Sequence, residues 1–223
     1  MNRPAASNGE STQPALSGAA FGNLAHELAN PLNVIAMTTE LAKRMLARGE
    51  FGRAAEALNA IGTDCERCAR LLRDAHDYLS LNAGAPHEPV DLASMLDEVA
   101  GPLRERGEVA IHAPGACRIE GDAHALRRLF RELLRNAFDH GAHRVEVELQ
   151  CDGRAMNARI SDDGPGIDPG LRARIFDAFY STQRQQHSGT GLPIARSIAH
   201  AHHGDVQIED AKQGTVFRVT LPA

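Results

Sequence analysis

Residues 53–81 read RAAEALNAIGTDCERCARLLRDAHDYLSL, and their apolar positions decide the fold of the N-terminal part. Ala54, Leu58, Ile61, Cys65, Cys68, Leu72, Ala75 and Leu79 recur in alternating steps of four and three. That is a heptad seam, and it predicts one long helix with a single apolar edge. A helical pattern also covers residues 16–48, broken only by Pro31, and Gly49, Phe51 and Gly52 mark a short turn between the two. Two long helices joined in this way form a hairpin. One hairpin has too little core to stand alone, so pairing of two copies into a four-helix bundle is the natural way to bury the seam.

Outward from the hairpin the pattern changes. Residues 1–15, rich in Ser, Asn, Gly and Pro, are expected to be a disordered tail. The hairpin domain is placed at 16–82, and residues 83–89 (AGAPHEP) read as a linker. Residues 90–223 then mix helix and strand. Residues 92–106 are expected to be helical and 109–112 a short strand, and Asp122 caps a helix running to about Asp139. Val145, Val147 and Leu149 alternate with charged residues, as in a half-buried strand. Residues 155–161 answer across Asp152-Gly153, a hairpin turn signal. A helix within 189–203 is closed by Gly204, and strands at 206–208 and 216–221 finish the chain. The expected fold is therefore an α-helical hairpin, dimeric as a four-helix bundle, followed by an α+β sandwich with helices on one face of a sheet.

Composition excludes several classes. The 223 residues are 43% hydrophobic and 24% charged, within ordinary globular usage. A net charge of −5 is not that of a chain built to blanket nucleic acid. No apolar run reaches the roughly 18 residues of a membrane span, and there is no secretory signal. Four cysteines in a chain of this length do not read as a disulfide scaffold. The expected setting is cytoplasmic, with no nucleic-acid partner and no membrane segment in this chain.

The first chemical candidate is His26-Glu27-Leu28-Ala29-Asn30-Pro31-Leu32. With Leu24 and Leu28 on the buried stripe, His26 lies roughly 200° from each and faces solvent. Asn30, one turn later, shares its face, and Glu27 sits on the flank. A neutral imidazole is a usable nucleophile, and a neighbouring carboxylate can orient it or take its proton. Pro31 removes a helical hydrogen bond just after the histidine, and it is expected to kink the helix there.

The second candidate is spread over the C-terminal part. Asp162-Asp163-Gly164-Pro165-Gly166 is a D-x-G-x-G turn after a strand. Its glycines allow close backbone approach to a flat ligand, and a carboxylate there accepts from an exocyclic amine such as adenine's. Gly189-Thr190-Gly191-Leu192 opens a helix whose free N–H groups favour phosphate. Between them, residues 181–188 (STQRQQHS) read as a mobile lid. Glu132 and Asn136 share one helix face, where their oxygens suit a hydrated Mg²⁺.

In this order the motifs resemble those of two-component sensor histidine kinases over roughly residues 16–222. The His26 string is similar to their H-box, Glu132 to Asn136 to the N-box, and Asp162 to Gly166 to the G1 box. Phe176-Asp177-Ala178-Phe179 resembles the F-box, Gly189-Thr190-Gly191-Leu192 the G2 box, and Gly214-Thr215-Val216-Phe217 the closing G3 element. The resemblance implies a dimerisation and phosphotransfer hairpin followed by an ATP-binding domain of the Bergerat (GHKL) type. It implies His26 as phosphoacceptor assisted by Glu27, and a response-regulator receiver domain as the partner taking the phosphate. The cofactors implied are ATP and Mg²⁺. The implied nucleotide residues are Asn136, Asp139, Asp162, Gly164, Gly166, Gly189, Thr190, Gly191, Leu192 and Thr215, with Asn136 and Glu132 toward Mg²⁺, and Phe176 and Phe179 as lid anchors. Glu27-Leu28-Ala29-Asn30 is also similar to the E-x-x-N element with which some members dephosphorylate their regulator. Two positions depart from the family pattern. Many members carry Asn at the position of Glu132 and Lys or Arg at that of Asp139, so a basic phosphate contact is missing here unless Arg184 or Arg135 supplies one. A GHKL ATPase using Glu132 on water, and a phosphotransfer scaffold with a vestigial nucleotide site, are the alternatives.

Other residues fit plainer roles. Cys65 and Cys68 form a C-x-x-C but fall on the heptad seam as small hydrophobes. His200, His202 and His203 suit a helix C-terminus. Cys117 and Cys151 carry no signal.

Overall fold

The structure is a computed structural model, and it describes residues 18–80, 87–113, 115–180 and 189–222. The expected tail and lid lie outside the described residues. Two 30-residue helices, α1 (Gly18–Ala47) and α2 (Phe51–Ser80), form the hairpin. The turn between them is tight: Gly49 has φ +76°, and the Arg48, Gly49 and Glu50 amides donate back to Met45 and Leu46 carbonyls. Glycine is needed there because a side chain at positive φ is strained. α2 begins at Phe51, so Phe51 and Gly52 are helical rather than part of the turn. α1 continues through Pro31.

The seam of α2 divides into two sets. Ala54 and Ala75 are buried against α1, together with Ala57 and Leu71, which the heptad reading did not include. Leu58, Cys65 and Leu72, seven residues apart, are exposed. Cys68 is half-buried, and burial together with the neighbouring Cys65 raises its thiol pKa. All exposed large hydrophobics among the described residues lie on this hairpin, from Phe21, Met37 and Leu41 to Phe51, Leu58 and Leu72.

The second part begins with β1 (Glu88–Asp91), inside the stretch read as linker. α3 (Leu92–Ala100) follows, capped by the Asp91 carboxylate accepting from Ser94 N. The helix expected over 92–106 stops at Ala100 because Pro102 has no N–H to continue it. A 3₁₀ turn (Gly101–Glu105) takes its place. β2 (Glu108–His112) and β3 (Arg118–Gly121) lead into α4 (Ala123–Asp139), whose cap is Asp122, accepting from His124 N and Ala125 N. Leu126, Leu129, Phe130, Leu133 and Leu134 bury one face of α4, at the i, i+3, i+4 spacing of an amphipathic helix. β4 (Arg144–Cys151) and β5 (Ala155–Asp162) form the expected hairpin, with Gly153 at φ +79°. α5 (Gly191–Ala201), β6 (Asp205–Glu209) and β7 (Val216–Pro222) complete the domain.

The main sheet has the order β2-β4-β5-β7-β6, parallel only between β2 and β4. A separate antiparallel pair, β1-β3, was not legible in the sequence. α4 and α5 lie over the sheet. Their apolar faces share one core with Val145, Val147, Met156, Ile160, Val219 and Leu221. The register sets the site: Val145 pairs with Asp162, and Ser161 and Glu209 both pair with Val216. Asp162 and the residue before Val216, Thr215, therefore meet at one end of the sheet.

Two further details depart from expectation. Cys117 and Cys151 are joined as a disulfide, with Cα atoms 5.6 Å apart. His202 is buried, accepting from Asp122 N on Nε2 (3.0 Å) with Nδ1 2.8 Å from the Ile198 carbonyl. The proton thus sits on Nδ1, and His202 ties the end of α5 to the start of α4. Gly121 makes room for it, since a Cβ there would lie 2.9 Å from the ring. No helix among the described residues is long and apolar enough to cross a membrane.

Candidate active site

On α1, His26 and Asn30 are both exposed, on the solvent side of the hairpin as the periodicity predicted. Glu27 is not on an open flank. It is 5% exposed, packed between the helices, with Arg67 Nη2 of α2 3.4 Å from its carboxylate. The reason is the roughly 100° step per residue. That step carries Glu27 toward α2 when Leu24 and Leu28 face the bundle, and the arginine makes its burial tolerable. Pro31 is also buried.

In the second part, the Asp162 carboxylate is held by two backbone donors: Oδ1 accepts from Gly164 N at 2.9 Å and from Thr215 N at 3.1 Å. The Asp162 amide in turn donates to the Thr215 carbonyl at 2.9 Å. The second oxygen, Oδ2, is therefore the one available to a ligand. Gly214, at φ +70°, lies so close that a Cβ would meet the Asp162 carbonyl at 1.7 Å. At Gly166, φ +78°, a Cβ would lie 3.0 Å from the Gly214 carbonyl. These glycines let two loops close on each other and fix Asp162, a structural requirement that precedes any ligand. The adjacent Asp163 turns away. It accepts from His143 N and Arg144 N, and those two hydrogen bonds lower its pKa.

Gly189, at φ +68°, packs against Tyr180, and its carbonyl accepts from Phe179 N at 3.0 Å. Thr190 is buried at the N-cap of α5, Gly191 opens the helix, and Leu192 is half-buried against the core. Pro193 removes one of the helix's free amides, leaving those of Gly191 and Leu192, two residues that line the site's cavity. A Cβ on Gly191 would lie 3.0 Å from Glu132 Oε2, so this glycine lets the α4 carboxylate approach the start of α5. Glu132 is buried and accepts from Arg135 Nη2 at 2.7 Å. Asp139 pairs with Arg106 Nη1 at 2.8 Å and stands 3.6 Å from Arg135 Nε. Arg135 is thus engaged by two carboxylates. Arg184 lies outside the described residues.

These residues surround one cavity of about 490 Å³, which Glu132, Asn136, Asp139, Asp162, Gly166, Gly189, Gly191, Leu192 and Thr215 all line. Gly164 and Thr190 do not line it: Gly164 holds Asp162 through its amide, and Thr190 precedes α5. α2 contributes as well, because Arg70 and Asp74 line the same cavity. The hairpin and the second part also meet at Phe179. It is buried at φ +63° in a small cluster with Leu24, Ala75 and Ala178, against which Leu28 packs. Asn23 Nδ2 donates to the Ala178 carbonyl at 3.1 Å. Phe176 instead stacks edge-on against Phe217, under Arg196. Sequence reasoning missed Asn23, Arg67, Arg70 and Asp74, because each acts across the two parts of the chain and none stands in a motif.

The cavity is of a size for a nucleotide, its carboxylate is preset, and an exposed histidine stands on α1, the helix paired with the α2 that lines it. Residues 17–84 match the His Kinase A (phospho-acceptor) domain. Residues 121–223 match the histidine kinase-, DNA gyrase B-, and HSP90-like ATPase family. A solved mycobacterial sensor histidine kinase, MprB, is 30% identical and superposes with a TM-score of 0.54 over 61% of this chain and 97% of that one.

The chain belongs to the two-component sensor histidine kinases. The sensor histidine kinase GtrS of Pseudomonas aeruginosa is 30% identical over 205 residues, 92% of this chain and 41% of that protein. The chain spans less than half the length of such curated kinases. Histidine kinase ThkA, solved in complex with response regulator protein TrrA, shares the fold. Its TM-score is 0.71 at 20% identity, over 93% of this chain and 62% of ThkA.

Proposed function

We propose that this chain is a protein-histidine kinase that phosphorylates its own His26 from ATP and passes the phosphate to an aspartate of a response-regulator receiver domain. The single observation that carries the reading is the joint wall of the cavity. The hairpin bearing exposed His26 and the domain bearing the D-x-G-x-G and G-T-G-L loops close around one space. In the reaction an imidazole nitrogen of His26 attacks the γ-phosphorus, the bond to the β–γ bridging oxygen breaks, ADP leaves with that electron pair, and the proton on the other ring nitrogen passes to the solvent around the exposed ring. Asp162 reads the adenine amine, with Thr215 N holding the carboxylate in place. Gly189, Gly191 and Leu192 present backbone to the phosphates at the start of α5.

The donor set fits Mg²⁺ sparingly. Among the described residues no group of three or more His, Cys, Asp or Glu gathers as a metal site. Asn136 and Glu132, one turn apart, would each offer a side-chain oxygen to an ion that keeps most of its waters. Mg²⁺, when bound, neutralises phosphate charge.

The kinase acts as a homodimer, the second copy covering the exposed stripe of Leu58, Cys65 and Leu72, and it works in the cytoplasm. The functional units are the hairpin at 16–82 and the ATP-binding domain expected at 90–223, whose start moves back to β1 at Glu88. Asn30, exposed one turn from His26, orients water for dephosphorylation of the regulator. The ATPase alternative is weaker, because Glu132 is bound by Arg135 rather than free to activate water.

The test is incubation with γ-labelled ATP and Mg²⁺, followed by addition of a receiver domain. A label on the chain that survives alkali, is lost in acid and chases to the receiver supports the reading. Release of free phosphate with no label on the chain contradicts it.

A further inference from the structure

We propose that Arg70, on the second hairpin helix, is a phosphate ligand of the nucleotide held by the C-terminal domain. The inference rests on the nucleotide reading above. The cavity is rich in carboxylates: Asp74, Glu132, Asp139, Asp162 and Asp168 all line it. A triphosphate brought there adds several negative charges, so affinity demands a cation aimed at them. Of the two arginines on the wall, Arg135 is already engaged by Glu132 at 2.7 Å and Asp139 at 3.6 Å. Redirecting it would leave the buried Glu132 carboxylate without its counter-charge, which is costly. Arg70 is exposed and takes part in no ion pair among the described residues. Its planar fork of N–H donors matches phosphate oxygens in pairs.

Its place on α2 gives this contact a consequence. Arg67, three residues earlier, holds Glu27 beside His26, so one helical face carries both the anchor of the phosphoacceptor string and the phosphate contact, about 4.5 Å apart along the axis. Phosphate bound by Arg70 is thereby bound to the hairpin as well as to the domain. The nucleotide's phosphates, and not its base, draw the two parts together at the phosphoacceptor. The position also answers the departure at Asp139. The cation absent at position 139 is supplied from the hairpin.

Calorimetry on the whole chain, comparing ATP with adenosine, tests this in the unmutated protein, Arg70→Ala, Arg70→Lys and Asp162→Asn. Arg70→Ala is expected to weaken ATP by about tenfold or more and to leave adenosine unchanged, with Arg70→Lys recovering part of the loss. Asp162→Asn is expected to weaken both ligands together. Equal ATP affinity in Arg70→Ala and the unmutated chain, or a loss shared equally by adenosine, overturns the role of Arg70 while leaving the nucleotide site standing. Absence of ATP binding by the unmutated chain overturns the nucleotide reading and this proposal with it.

Discussion

Arg67 Nη2 lies 3.4 Å from the buried carboxylate of Glu27, so the residue next to the exposed His26 is pinned across the hairpin to the second helix. The side chains of the pair are 18% and 7% exposed, which places it among interior ion pairs. Removing the arginine takes a counter-charge from a carboxylate in a poorly solvated place. Arg67→Ala is therefore expected to destabilise the hairpin by about 2–3 kcal/mol, and Arg67→Lys by less. Thermal unfolding of the three proteins checks this, and equal midpoints for all three would remove the pair from the account of the H-box.

Asp162 offers a second test. Its Oδ1 is saturated by Gly164 N and Thr215 N, so an amide in its place keeps the shape of the turn but presents the wrong group to an adenine amine. Asp162→Asn is expected to weaken ATP by about ten- to a hundredfold, the worth of one hydrogen bond to a charged group. Its unfolding midpoint should stay near that of the unmutated chain. Unchanged affinity would count against the adenine role.

The parts of the fold read correctly from sequence are those carried by local pattern. The Asp122 cap made α4 legible, and Asp152-Gly153 made the β4-β5 turn legible. His26 could be aimed at solvent because Leu24 and Leu28 define the opposite stripe. What was not legible depends on partners far away in the chain. β1 and β3 are four residues each, too short to show alternation, and each needs the other to be a strand at all. Cys117 and Cys151 meet only because the loop before β3 reaches the end of β4, 34 residues on. Glu27 looked like a flank residue because its helix alone does not reveal Arg67. The glycines of the D-x-G-x-G turn were read as room for a ligand. Gly166 and Gly214 instead first make room for each other's loop.

Acid should weaken one junction of the C-terminal domain in a defined window. Burial alone would raise the Asp205 carboxyl pKa. Hydrogen bonds from Arg196, Gln207, His200 and the Val206 amide outweigh that and hold it at about 2. A carboxyl near 3.9 when unfolded and lower when folded contributes stability that is complete above about pH 4. That contribution is lost as pH falls toward 2. Asp205→Asn is expected to lower stability by about 1 kcal/mol at neutral pH, since it loosens α5 from β6. The gap from the unmutated protein should close between pH 4 and 2. Unfolding midpoints measured across that range test it, and a gap independent of pH would show that Asp205 does not act through its charge.

The exposed stripe on α2 sets the expected assembly. Leu58 and Leu72 are 53% and 56% exposed in the single chain, so a charge at Leu72 is harmless to one hairpin and costly in a paired one. Leu72→Glu is expected to convert a dimer at micromolar concentration to a monomer that keeps its helix content. Light scattering with circular dichroism reads both, and a monomer for the unmutated chain would remove the four-helix bundle.

The central claim is that phosphate enters at His26. The most direct measurement is label from γ-labelled ATP on the unmutated chain and on His26→Gln, each then exposed to acid and to alkali. The account expects an acid-labile, alkali-stable label on the first and none on the second, with ATP affinity equal in both. Label persisting on His26→Gln, or label on the unmutated chain that survives acid, would contradict it.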